Sequence, residues 1–172
     1  MQEFNTKILI LSHEKEYKYV VELLRHLEVA LPEDVSIYSA DEMLPDESKA
    51  DKLWQELNSS NIVLTIISSH YLADDLLYKL HQLAIDLHDE KILEAIQIIA
   101  RSVFAPTPKT KRVVKSLPKT PLSTSKNRDE AYSEIVEFVI DKIEVIKIHY
   151  ELLKEKLHVQ ALERKIKELL RD

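Results

Sequence analysis

The sequence predicts an α/β fold built on a parallel sheet, and three observations carry that expectation. Short β-branched runs alternate along the chain with longer stretches of helical period. The first run, Lys7-Ile-Leu-Ile-Leu11, is apolar after its lysine, as a strand covered on both faces must be. A second such run, Asn61-Ile-Val-Leu-Thr-Ile-Ile67, is the most strand-like in the chain and is expected at the centre of the sheet. At 172 residues and 20.0 kDa, the chain suits one domain of ordinary size with some length to spare.

The elements follow in order. After the first strand, Glu16 to Ala30 places Val20, Leu23, Leu24, Leu27 and Ala30 on one helical face, and Pro32 ends that helix. Val35-Ser-Ile-Tyr38 is a second, shorter strand, followed by an acidic, proline-bearing loop from Ser39 to Glu47. Lys49 to Leu57 forms a short helix before the central strand. Tyr71 to Asp89 is the next helix, and Ala95-Ile-Gln-Ile-Ile99 a fourth strand. Residues 105–126 change character, with four prolines and many Lys, Ser and Thr; a loop is expected there, with a short strand near Leu122-Ser-Thr124. Asn127 or Asp129 is placed to cap a last helix.

That helix has no proline, glycine or turn cluster from Glu130 to Leu170. About 40 residues at 1.5 Å each would make a rod of roughly 60 Å, far longer than a crossover needs. Its tail carries a heptad: Val145, Ile148, Leu152, Glu155, Val159, Leu162, Ile166 and Leu169 recur in steps of three and four, all apolar but Glu155. A second stripe, Ile146, Tyr150, Leu153, Leu157 and Ala161, widens the apolar surface. The repeat favours pairing with a second chain over a helix that breaks near His149 and folds back. The chain therefore divides at residues 1–146, a globular domain, and 147–172, a helical extension. Charge divides the same way: the extension holds seven basic and five acidic groups (+2), which leaves −8 of the net −6 on residues 1–146.

Composition excludes several function classes. Cysteine is absent, so disulfides, thiolate zinc sites and a cysteine nucleophile are ruled out together. Glycine is absent too. Phosphate-cradling loops use glycine to bring backbone amides close to the ligand, so the Walker loop, the G-x-G-x-x-G loop and the G-x-S-x-G elbow are all missing. The net negative charge disfavours nucleic-acid binding through a basic surface. No apolar run is long enough to span a membrane, and the first residues lack the pattern of a signal peptide, so a cytoplasmic protein is expected. Seven histidines invite a metal, yet no H-E-x-x-H occurs, and His81 and His88 would stand about 10 Å apart along a helix, on what is expected to be a solvated face. Ser12-His13-Glu14 offers a nucleophile, a base and an acid, but adjacent residues on a turn do not make a triad.

Taken in order, these stretches resemble a bacterial TIR domain over residues 6–146. Ile8-Leu-Ile-Leu-Ser-His-Glu-Lys-Glu16 resembles the family's first box, a strand running into a Ser-His-x-x-Asp/Glu turn. Val35 to Tyr38 and Glu42-Met-Leu-Pro45 resemble the second strand and the loop after it, with Asp46 where the family keeps a glycine. Ile62 to Leu72 resembles the central strand leading into Ser-x-x-Phe/Tyr-Leu, and Leu117-Pro-Lys119 with Asn127-Arg-Asp-Glu-Ala-Tyr132 resembles the approach to the last helix. The resemblance implies a flavodoxin-like sheet of five parallel strands with helices on both faces. A receiver domain shares that topology but needs an aspartate at the end of the third strand, where this chain has Ser68-Ser-His70.

Many TIR domains cleave the glycosidic bond of NAD with a glutamate on the helix after the central strand, because the breaking bond develops positive charge on the ribose. Aligning Ser68-Ser-His-Tyr-Leu72 with the family pattern puts that glutamate at Leu80. Leu76, Leu77, Leu83 and Ala84 share its face, and Asp86 points elsewhere. The resemblance therefore implies a degenerate site, a scaffold without catalytic residues or cofactor, acting in intracellular signalling or anti-phage defence and partnering itself or other TIR proteins as a homo-oligomer. A carboxylate reaching the cleft from elsewhere would overturn that reading. The alternatives are an NAD hydrolase or cyclase switched on by oligomerisation, and a sensor that binds a nucleotide-derived ligand without turnover. The ligand cleft would lie at the carboxyl ends of the strands, near Ser12, His13, Ser39, Ser68 and Tyr71. An assembly loop is expected at Asp41, Glu42, Leu44, Pro45, Asp46 and Glu47, complemented in a neighbouring copy by Lys109, Lys111, Arg112, Lys115 and Lys119.

Overall fold

The computed structural model describes residues 4–40, 49–103 and 114–170. Five strands, β1 (Thr6–Leu11), β2 (Val35–Ser39), β3 (Ile62–Ile67), β4 (Glu94–Ile99) and β5 (Lys115–Leu117), form one sheet in the order β2-β1-β3-β4-β5. All four pairings are parallel. This is the flavodoxin-like arrangement expected from the sequence. β3 is buried at every position and registers Ile8↔Ile62 against β1 and Ile62↔Glu94 against β4.

Period-two alternation assigns each strand residue to one of two cores. Ile8, Ile10, Ile62, Leu64, Ile66, Ile96 and Ile98 pack under α1 (Tyr17–Ala30) and the inner part of α5 (Arg128–Leu169). Leu9, Leu11, Val63, Ile67 and Ala95 pack under α2 (Lys49–Asn58), α3 (Ser69–Ala73) and α4 (Asp75–Asp89). Both faces are thus covered, which is why the strands read as apolar runs.

Helix ends follow local chemistry. Pro32 forces Leu31 into extended geometry, φ −85° and ψ 144°, and α1 stops there. The Asn127 side chain accepts from the Glu130 amide at 3.3 Å and caps α5. The helix expected over 71–89 is in fact two. Asp74 sits extended between them and accepts from the Leu77 amide at 2.9 Å, so it starts α4 rather than continuing α3. The strand expected near Leu122–Thr124 is also displaced: those residues form a turn, and the edge strand is Lys115–Leu117. Three residues on an edge are too few to show an alternation in sequence.

α4 closes on a Schellman cap. Ile92 N–H donates to the Leu87 carbonyl at 2.9 Å and Lys91 N–H to the His88 carbonyl at 3.0 Å, with Lys91 at φ 61°. That is the left-handed position at which glycine is usual.

α5 runs unbroken past His149, so the helix does not fold back. Its first half is anchored by Ala131, Tyr132, Ile135, Val136, Val139 and Ile143. Further on, Lys147 pairs with Asp34 at 2.6 Å and Tyr150 stacks on Phe4 with ring centroids 4.3 Å apart. From Glu151 to Glu168 every residue is exposed. Among the described residues no helix is long and apolar enough to cross a membrane.

Candidate functional site

In this strand order the chain moves outward to opposite sides from β1 and β3, which opens a crevice at their carboxyl ends. The residues that follow β1, β3 and β4 meet there. Ser12 and His13 follow β1, and a 3-10 turn over Glu14–Glu16 leads into α1. His13 caps that turn by accepting the Lys15 amide on Nδ1 at 3.2 Å, and its ring stacks on His70 with centroids 5.6 Å apart. The Lys15 contact fixes the imidazole as the cap of the turn.

The centre of this end is Glu16, a carboxylate with 0% side-chain exposure. Arg101, just beyond β4, donates from Nε to both carboxylate oxygens at 3.1 and 2.9 Å. His70 Nδ1 lies 3.2 Å from Oε1. Burial pushes the Glu16 carboxyl up, but hydrogen bonds from Arg101, His70 and Ser68 outweigh it and hold the group below its ordinary value. Arg101 in turn is raised by its contacts with Glu16, and its guanidinium lies 5.9 Å from the Tyr19 ring centroid. The carboxylate is ionised, neutralised and closed off from solvent.

Leu80 lies on α4, fully buried in the second core with Leu77, Ala84, Leu53 and Leu57. Asp86 is exposed on the far side of that helix. Of the expected cleft residues, Ser12, Ser39, Ser68 and Tyr71 are all buried, and only His13 is partly open. Tyr71 donates its hydroxyl to the Leu77 carbonyl at 3.0 Å, so its ring fills core instead of facing a ligand. His81 corrects the expectation of a solvated face. It is buried, with Nε2 3.2 Å from Gln97 Nε2, while Gln97 accepts from Ser116 at 3.0 Å. Burial lowers its pKa to about 4. Among the described residues no group of His, Asp and Glu could hold a metal.

The assembly loop Asp41, Glu42, Leu44, Pro45, Asp46 and Glu47 lies outside the described residues, as do Lys109, Lys111 and Arg112 and the side chain of Leu169. Lys115 is described on β5, its ammonium over the Phe138 ring. The tail positions Val145, Ile148, Leu152, Val159, Leu162 and Ile166 are exposed by 46–61%. Two grooves lie away from the crevice. One, of about 540 Å³, runs between α1 and α5 beside His26 and Val136; the other, about 690 Å³, lies at the opposite end of the sheet beside Phe4, Ile92 and Tyr150.

Sequence reasoning quoted Glu16 but missed its role. In a parallel sheet every residue just past a strand lands at one end, so an acid after β1 and an arginine after β4 were a pair the topology alone could suggest.

No family model matches the chain. No curated protein is similar to it in sequence. Among solved structures, it is similar to the TIR domain of the Toll-related receptor TRR-2 from Hydra magnipapillata, with a TM-score of 0.56 and 13% identity over 77% of this chain and 96% of that one. The fold of this chain is that of a TIR domain.

Proposed function

We propose that this chain is an interaction module of intracellular signalling or defence, which assembles with itself or with other domains of the same fold and does not turn over NAD. The observation that supports it is Leu80, a leucine sealed in the core at the position where the resemblance places the sugar-cleaving glutamate. A side chain without charge or hydrogen-bonding capacity cannot stabilise a cationic ribose. The exposed apolar tail supplies an assembly surface. On this reading no cofactor is used.

NAD hydrolysis has one observation in its favour, the Glu16 carboxylate at the crevice. Its two oxygens are already satisfied by Arg101 and His70, and nothing outside the protein touches it without displacing Arg101. The discriminating experiment is incubation at high protein concentration with NAD, following nicotinamide release. The expected result is none above a protein-free control. Robust release that Glu16→Gln abolishes, in a variant that keeps its fold, overturns the proposal.

A further inference from the structure

The geometry points to a parallel, in-register pair of α5 tails between two copies of this chain, with Glu155 facing Glu155 in the seam. This rests on the self-association reading above and fixes what that reading leaves open, the direction and register of pairing. Counting from Val145 as position a, the a residues are Val145, Leu152, Val159 and Ile166, and the d residues are Ile148, Glu155, Leu162 and Leu169. Three of the four a residues are β-branched, and Leu162 and Leu169 are leucines at d, as in a parallel two-stranded coil; Leu152 at a and Ile148 at d depart from that pattern.

The flanking charges agree. In a parallel coil each g residue faces the e residue of the next heptad on the other helix. Glu144 then meets His149, Glu151 meets Lys156 and His158 meets Glu163, with no like charges opposed. Antiparallel pairing with the same apolar layers sets Lys156 against Lys156 at the middle of the rod. The domain also leaves this seam open. Ile143, Ile146 and Tyr150 face the globular part, and at about 100° per residue the a and d positions lie roughly half a turn away. Val145 at 58% and Ile148 at 61% exposure begin the seam right where the domain ends. Two domains can therefore sit on the outer sides of one coil, side by side. Glu155 is the one polar layer among these a and d positions, and two carboxylates opposed at d repel one another and weaken the pair.

The chain has no cysteine, so one introduced thiol reads the register directly. In the full chain, Leu162→Cys faces its own copy across a d layer, within disulfide reach. Arg164→Cys points outward and is the control. Under mild oxidation the L162C protein is expected to convert largely to a covalent dimer, and R164C to remain mostly uncrosslinked, while light scattering shows dimers for both before oxidation. Dimers in which L162C fails to crosslink overturn the parallel register yet leave self-association standing. Monomers at all concentrations overturn both. Equal crosslinking of the two variants overturns the seam. Independently, Glu155→Leu should tighten the dimer by about tenfold or more; an unchanged dissociation constant removes Glu155 from the seam.

Discussion

The side chains of Glu16 and Arg101 are bound to one another more closely than to anything else at their end of the sheet, and the dependence is one-sided. Arg101 is 41% exposed and can rehydrate, whereas Glu16 has no solvent to turn to. Arg101→Ala should thus cost about 3–5 kcal/mol of folding stability by stranding a buried carboxylate, read as a lowered midpoint in urea. The double variant with Glu16→Gln should recover much of it, since a neutral amide tolerates burial better. His81 makes a different prediction. Its pKa falls from 6.5 to about 4 on folding, so the unfolded chain binds the proton more readily. Stability contributed by the neutral ring is complete above pH 6.5 and declines as pH falls toward 4, by as much as about 3 kcal/mol. Unfolding measured across that range should slope downward in acid, and His81→Gln should flatten the slope.

Among elements, α5 does two jobs with one helical period. Its inner half is a sheet-covering helix whose apolar stripe is consumed by the core, and its outer half repeats apolar residues that none of the described residues covers. A solvent-exposed helical segment draws little stability from propensity alone, so on the pairing proposed above the outer half gains order from its partner. Amide exchange in residues 151–168 should therefore slow as protein concentration rises, while exchange in β3 stays unchanged. Equal exchange in the tail at all concentrations would count against pairing. The heptad was legible because it is long, and β1, β3 and α1 because their patterns are strong over many residues. The break at Asp74 was hidden because Leu72, Leu76 and Leu80 keep helical spacing across it, and only the cap hydrogen bond to Leu77 reveals the stop. β5 was hidden because pairing with β4, not its own sequence, makes it a strand.

For the whole molecule, the sheet separates two cores that answer to different needs. The side under α1 and α5 is nearly all aliphatic and continues into the rod. The other side holds Leu80, Tyr71 and the His81–Gln97–Ser116 chain of polar contacts. Leu80 was readable from the sequence through the resemblance alone. The pairing of Glu16 with Arg101 was not, because the residues are 85 positions apart and meet only through the strand order.

The cap at Lys91 reaches beyond α4. A left-handed turn held by a lysine means that even the position most suited to glycine is filled by a residue with a side chain, in a chain that contains none. Each such residue narrows the conformations open to the denatured polypeptide, so less entropy is surrendered when it becomes ordered. At Lys91 itself the positive φ offsets this gain with native strain, so the stiffness of the disordered form adds stability only at the positions whose backbone tolerates a side chain.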